Sequence, residues 1–118
     1  MGSMATTPPP DAKDTQRKDV HVTKDHTNGK PKVPKDEEII TLRKAAGDKV
    51  KWEKGDNDTP DFKVKFDKLG ERSPFESSEF NNGQTSDKIV VDPDPNTVYH
   101  YTIYFPDGTK LDPGIIIR

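Results

Sequence analysis

Apolar and polar residues alternate one by one through two segments of the chain. Residues 62–66 place Phe62, Val64 and Phe66 on one face and two lysines on the other. Residues 98–105 alternate in the same way, and aromatic and β-branched side chains dominate both segments. A period of two with this composition is typical of β-strands with one buried face.

Shorter segments show the same strand chemistry, and polar turn signals separate them. They are residues 19–24, 38–43, 49–54, 88–91 and 114–118. A turn at residues 106–108 predicts a short return over residues 109–111. The one helix-like stretch, residues 42–46, is too short to stand alone. The pattern therefore predicts an all-β fold, an antiparallel β-sandwich of cupredoxin or immunoglobulin type with about seven strands.

The inward-facing residues of these strands predict one modest core. Its predicted members are Ile40 or Ile39, Leu42, Val50, Trp52, Phe62, Val64, Phe66, Ile89, Val91, Tyr99, Tyr101, Ile103, Ile115 and Ile117. Hydrophobic residues make up only 28% of the 118 residues, against roughly 45–50% apolar residues (glycine included) in soluble proteins. A chain this small and polar has little core to hollow out, which argues against an enzyme with a deep pocket.

Charge and composition divide the chain into a leader and a domain. Residues 1–35 hold seven Lys/Arg and four Asp/Glu, whereas residues 36–118 hold twelve and seventeen. The first eighteen residues carry too few apolar side chains to offset the entropy cost of ordering. We therefore predict a disordered leader over residues 1–18 and a single β-sandwich domain over residues 19–118.

The first residues also bear on where the protein resides. Residues 1–3 have the composition of an expression-vector remnant, and Met4 is then the natural start. No basic segment followed by an apolar run comes after Met4, so a secretory signal is not visible and the cytoplasm is the expected location. If a signal peptide was removed upstream, the protein is instead exported. No run approaches the length of a membrane span.

The C-terminal half resembles known families. The resemblance rests on the aromatic strand 99–103, the turn at Asp107 and Gly108, and the Asp-Pro ending of residues 111–117. This end resembles the last hairpin of cupredoxin-like sandwiches. Residues 50–118, from Trp52 through Phe75 to that ending, resemble the bacterial DP-EP family, and the ending is also similar to PixA/AidA-type inclusion body proteins. The resemblance implies a bacterial β-sandwich and carries no defined activity.

One departure from the cupredoxin pattern concerns copper. A blue-copper site combines a cysteine thiolate with imidazoles. The chain has no cysteine, and the corresponding loop, residues 106–110, has no His or Met. The resemblance therefore implies the scaffold without electron-transfer chemistry, and we expect no cofactor.

Two groups of residues are candidate metal ligands. His21, His26 and His100 would form a zinc or copper site if the first strand lay beside residues 99–105. The alternative is exposed strand histidines, because His21 and His26 fall on opposite faces of a regular strand. Asp56, Asp58 and Asp61 offer oxygen ligands for Ca²⁺, without the spacing of an EF-hand. Local turn hydrogen bonds are the alternative for these carboxylates.

Two further groups are candidate partner-binding residues. Phe75 and Phe80 lie in a polar segment, either as exposed anchors for a partner or as plugs closing one end of the sandwich. Lys63, Lys65 and Tyr104 form a small basic and aromatic patch on a strand face, for which a solvated sheet surface is the alternative. The net negative domain argues against nucleic acid.

These observations indicate a non-enzymatic binding or assembly module. Its expected partner is another protein, or a second copy of the chain if a sheet edge is free. Whether the final strand, residues 114–118, is an edge or central decides the second possibility. The alternative function is metal binding through the acidic turns or the histidines. No catalytic constellation, nucleophile motif or phosphate loop is present in the sequence.

Overall fold

Ten short β-strands form the regular structure within residues 15–67 and 72–118, the parts of the chain that the computed structural model describes. A 3-10 turn over Lys35–Glu37 is the one helical element there. The all-β class is thus confirmed. The strands are β1 Arg17–Lys24, β2 Pro31–Lys32, β3 Ile39–Leu42, β4 Lys49–Lys54, β5 Lys63–Lys65, β6 Glu79–Asn81, β7 Asp94–His100, β8 Thr102–Tyr104, β9 Lys110–Leu111 and β10 Gly114–Ile117.

The strands form three sheets, an arrangement consistent with a β-sandwich. Their orders are β2-β1-β4, β3-β10-β7 and β6-β5-β8-β9. Most neighbours are antiparallel, as predicted, but β1 with β4 and β3 with β10 are parallel. Such pairs join strands far apart in sequence, so the local pattern does not reveal them. Strand β10 lies between β3 and β7 and is therefore central, which excludes it as a free edge.

The predicted strand over residues 98–105 is two strands that belong to different sheets. Strand β7 pairs with β10, whereas β8 pairs with β5 and β9. The chain changes sheet at Tyr101, whose N–H donates to the carbonyl of Pro113 at 3.0 Å. Tyr101, Ile103 and Phe105 still face the core, while Tyr99 is only partly buried. Gly108 closes the predicted turn with φ of 88°.

Two further segments differ from the prediction. Residues 88–91 form no regular strand and make only an isolated bridge, between Ile89 and Phe75. Strand β6 lies within a segment that the sequence pattern marks as a loop, because its single apolar residue, Phe80, is flanked by polar ones. A period of two can be recognised in a sequence only when the strand has at least two inward-facing apolar residues.

The core is an aromatic cluster surrounded by aliphatic side chains. Trp52 lies at its centre, with ring centroids 4.9 Å from Phe80 and 5.7 Å from Tyr101. Ile40 is the buried member of its pair, and Ile39 is exposed. Apart from Tyr99, every predicted core residue is buried. Buried hydrophobic residues that the sequence did not assign to the core are Val20, Val22, Val33, Ala46, Phe75, Phe80 and Phe105.

The first strand begins inside the predicted leader, which extends to residue 18. Strand β1 begins at Arg17, and the N–H of Gln16 donates to Asp48 Oδ1 at 2.9 Å. The rest of the predicted leader, residues 1–14, lies outside the described residues. Among the helical elements that the structure describes, none has the length and apolar character needed to cross a membrane.

Candidate functional site

The predicted basic and aromatic patch lines a groove on the outer face of the sheet β6-β5-β8-β9. Lys63 pairs with Asn81 on one side and with Tyr104 on the other, so the three side chains share one face. Lys65 follows two residues later on the same face. The groove has a volume of about 660 Å³. Its lining residues are Asp61, Phe62, Lys63, Lys65, Asn81, Asn82, Tyr104, Phe105 and Pro106.

The polar groups of the groove are exposed and loosely paired. Lys63 Nζ lies 3.3 Å from Asn81 Oδ1 and 3.5 Å from Glu79 Oε2. Lys65 Nζ lies 3.9 Å from the same carboxylate and 5.6 Å from the centre of the Tyr104 ring. Glu79 is 51% exposed, so solvent weakens both ion pairs. A ligand carboxylate could therefore replace Glu79 as the partner of these lysines at a small cost in free energy.

Tyr104 is fixed at the rim of this groove. Its hydroxyl donates to Asp67 Oδ2 at 3.1 Å. Burial and the hydrogen bond to Asp67 raise the pKa of the Tyr104 hydroxyl above its ordinary value. The ring thus presents an apolar face that Lys65 partly covers.

Phe75 and Phe80 are buried, which rules out the exposed-anchor interpretation for both residues. Only 2% and 1% of their surfaces are accessible. Their ring centroids lie 5.8 Å apart, and both pack against Trp52 in edge-on or tilted contacts. Both residues therefore belong to the core cluster around Trp52. The alternative interpretation expected them to be buried, but as plugs at one end of the sandwich.

The acidic loop does not gather its carboxylates around a common point. Asp56 Oδ1 accepts hydrogen bonds from the Asp58 N–H at 3.1 Å and from the Thr59 hydroxyl at 2.8 Å. Asp61 lies 2.7 Å from Lys54 Nζ, and that hydrogen bond lowers the pKa of Asp61. These contacts match the turn interpretation. The predicted calcium ligands do not come together in the described chain.

The three histidines also lie apart. His26 sits in the exposed turn after β1, and His100 is the last residue of β7. Strands β1 and β7 belong to different sheets. The three-histidine site is therefore wrong, because the first strand pairs with β2 and β4 and not with the strand of His100.

His21 instead lies among carboxylates that the sequence analysis did not connect with it. Asp19 shares its strand face, and Glu53 is its direct partner on β4. One donor atom from each of these three residues lies within 4.8 Å of the other two. Glu37 reaches the same histidine from the 3-10 turn, with Oε2 3.1 Å from His21 Nδ1. The hydrogen bond to Glu37 raises the pKa of His21.

The spacing of Asp19 and His21, two residues apart on a predicted strand, is the only local sign of this cluster. Glu53 lies next to His21 because β1 and β4 pair in parallel register. Glu37 reaches His21 because the chain after β2 leads the 3-10 turn back toward β1. Neither relation follows from residues close in sequence.

Comparison with protein-family models, with curated proteins and with solved structures finds no match for this chain.

Proposed function

We propose that the protein is a non-enzymatic binding module that holds an extended segment of a protein partner in the groove of the sheet β6-β5-β8-β9. The observation that carries the proposal is the convergence of Lys63, Lys65 and Tyr104 on one concave surface. The sequence pattern singled out the same three residues. The scaffold, proposed as cupredoxin-like without blue copper, rests on the resemblance of the C-terminal hairpin, from the aromatic strand 99–103 to the ending of residues 111–117.

The chemistry of the groove favours a peptide bearing a carboxylate. Lys63 and Lys65 share one exposed acid, Glu79, and a ligand carboxylate can compete for their ammonium groups. Asn81 and Asn82 supply amide donors and acceptors beside them. The Tyr104 ring offers a flat apolar contact for a neighbouring side chain.

The same chemistry disfavours nucleic acid. Residues 36–118 hold seventeen acidic against twelve basic residues, so the domain repels a phosphate chain. Asp61, Asp67 and Glu79 lie at or near the groove and add to that repulsion.

Binding without catalysis fits the groove's functional groups. Among the residues that the structure describes, one carboxylate lines the groove, that of Asp61, and it is paired with Lys54 at 2.7 Å. The other polar lining groups are ammonium, amide and phenol, and no pair of them forms a hydrogen-bonded nucleophile and base. The groove also has one wide face to solvent, where a peptide can lie extended.

A peptide-display selection on the full chain tests the proposal. We expect selected peptides to contain Asp or Glu near an apolar residue. Their affinity is expected to fall about tenfold or more for the double variant Lys63→Ala/Lys65→Ala. The matched control is Lys32→Ala/Lys88→Ala, which removes two exposed lysines elsewhere and should change affinity less than about twofold.

Backbone NMR shifts locate the bound peptide. Perturbation centred on residues 63–65, 81 and 104 supports the proposal. Selected peptides that bind both double variants equally, or that perturb a different face, would overturn it.

A further inference from the structure

A second polar site lies on the outer face of the parallel pair β1 and β4. Val20 and Trp52 are fully buried, so the alternate residues Asp19, His21 and Glu53 face outward. His21 and Glu53 are register partners on adjacent strands. The backbone ladder therefore places the two residues side by side, and Asp19 extends the cluster along β1.

Glu37 constrains the ring of His21 from outside this cluster. Its Oε1 accepts the backbone N–H of His21 at 2.7 Å, and its Oε2 lies 3.1 Å from ring Nδ1. In the neutral imidazole this contact favours the tautomer with the proton on Nδ1. Nε2 then keeps its lone pair, as in metal sites where a carboxylate orients the coordinating histidine.

We propose that Asp19, His21 and Glu53 form a surface site for one divalent transition-metal ion of the zinc type, with Glu37 as the residue that orients His21. An imidazole nitrogen with two carboxylate oxygens is a donor set that zinc accepts, and water completes the four-coordinate shell. The imidazole disfavours Ca²⁺ and Mg²⁺, which prefer oxygen ligands alone. Donor atoms within 4.8 Å of one another need only small side-chain rotations to close on an ion.

Two cations limit the affinity of this site. Arg17 Nε lies 2.8 Å from Asp19 Oδ1, and Lys51 is the register partner of Asp19 on β4. Arg17 is 52% exposed and can swing into solvent when the ion binds. Because Asp19 must exchange a partner, we expect binding in the micromolar range, weaker than at a buried structural zinc site.

Isothermal titration of the metal-free full chain with ZnCl₂ tests this proposal. We expect one ion per chain for the wild type. His21→Gln and Glu53→Gln should each weaken binding about tenfold or more. The matched controls are His26→Gln, an exposed histidine in the turn after β1, and Glu38→Gln, an exposed acid beside Glu37. Both controls should stay within about twofold of the wild type.

The ¹⁵N resonances of the His21 ring supply an independent readout, and zinc should shift Nε2 much more than Nδ1. Absence of saturable binding would overturn the proposal, as would loss with His21→Gln but not with Glu53→Gln, the pattern of a lone surface histidine. The site lies on a different sheet from the groove. Lys63→Ala/Lys65→Ala should therefore bind zinc normally, which separates failure of this proposal from failure of the binding function.

Discussion

Asp48 is a buried carboxylate that ties the start of the domain to the turn after β3. It is 2% exposed and accepts hydrogen bonds from the backbone N–H groups of Gln16 and Arg43. The Arg43 guanidinium adds two more, at 2.8 and 3.1 Å. Charge-assisted bonds of this kind are about twice as strong as neutral ones. One side chain thus joins segments that are more than thirty residues apart.

Asp48→Asn should lower the free energy of unfolding by about 2–3 kcal/mol, because it removes the charge that faces Arg43 and turns one acceptor into a donor. Arg43 is 29% exposed, so water partly compensates its lost partner. Urea unfolding measures the difference. Asp58→Asn, in an exposed loop, is the control and should change stability by less than about 0.5 kcal/mol. Equal stability of the two variants would contradict the assigned role.

The effect of Asp48 depends on pH. Burial alone would raise its pKa, but the Arg43 guanidinium and two backbone donors outweigh burial and lower the pKa below the ordinary value of 3.8. A depressed pKa stabilises the fold above the unfolded value, and this stabilisation is lost as pH falls through the folded value. The stability gap between wild type and Asp48→Asn should therefore shrink from about pH 6 to about pH 3. A constant gap across urea titrations would contradict this.

Tyr101 carries a hydroxyl that the core holds weakly. The side chain is 1% exposed, and within residues 15–67 and 72–118 its oxygen and Trp52 Nε1 are the buried side-chain polar atoms without a well-formed hydrogen bond. Burial raises the pKa of this hydroxyl far above its ordinary value, and the neighbouring Trp52 indole N–H opposes that rise. Tyr101→Phe keeps the ring contacts and removes the hydroxyl. It should leave stability unchanged or raise it by up to about 1 kcal/mol, measured by urea unfolding.

The comparison for Tyr101→Phe is Phe80→Ala, which empties the same aromatic cluster. That variant should lose about 3–5 kcal/mol. A loss of more than about 1 kcal/mol for Tyr101→Phe would indicate a hydrogen bond that includes the hydroxyl.

At the scale of elements, Gly114 determines how closely β10 approaches β7. A Cβ at this position would overlap Cγ1 of Val98 and touch the ring of His100. Val98 is β-branched and has little rotamer freedom to move aside. Only glycine, which has no Cβ, therefore fits at this position of β10 without a clash.

Gly114→Ala should destabilise the protein by about 1–3 kcal/mol through this overlap. The double variant Gly114→Ala/Val98→Ala should recover part of the loss, because the clashing methyl is gone. A double-mutant cycle on thermal unfolding measures the coupling. Purely additive effects would show that the overlap is not the cause. Gly83→Ala tests the contrast, since a Cβ there meets no atom within 4 Å and only its φ of 81° opposes it.

The predictable part of the fold follows from local periodicity. Phe62, Val64 and Ile103 face inward because successive strand residues alternate sides, and that rule acts within one strand. Phe80 was not assigned to a strand because polar residues flank it. The proposed metal site needs the register of His21 with Glu53, two residues on strands that β2, the 3-10 turn and β3 separate in the chain. Pairing of distant strands depends on the whole fold, so no local pattern contains it.

At the scale of the whole molecule, five of the six edge strands in the described sheets, all but β3, argue against self-association. Strands β2, β6 and β9 have two or three residues each. Strand β7 carries Pro95 and is bulged against β10. The outer side of β4 bonds to residues 83–86. Short, interrupted and covered edges are how natural sheets avoid pairing with each other.

We therefore expect a monomer of 13.3 kDa in size-exclusion chromatography with light scattering, at every concentration up to the millimolar range. The groove proposed for a partner peptide needs no second copy. A dimer that dissociates on dilution would contradict this prediction. The candidate dimer interface would then be the edge strand β3, where Ile39 is 51% exposed.

The central position of β10 has a consequence for synthesis on the ribosome. Strands β3 and β7 flank it, yet β10 follows every other strand in the chain. Until residues 114–117 leave the exit tunnel, those two neighbours lack the strand that joins them. The sheet therefore cannot be completed before β10 has emerged, and until then the nascent chain leaves the apolar faces of β3 and β7 open to a chaperone.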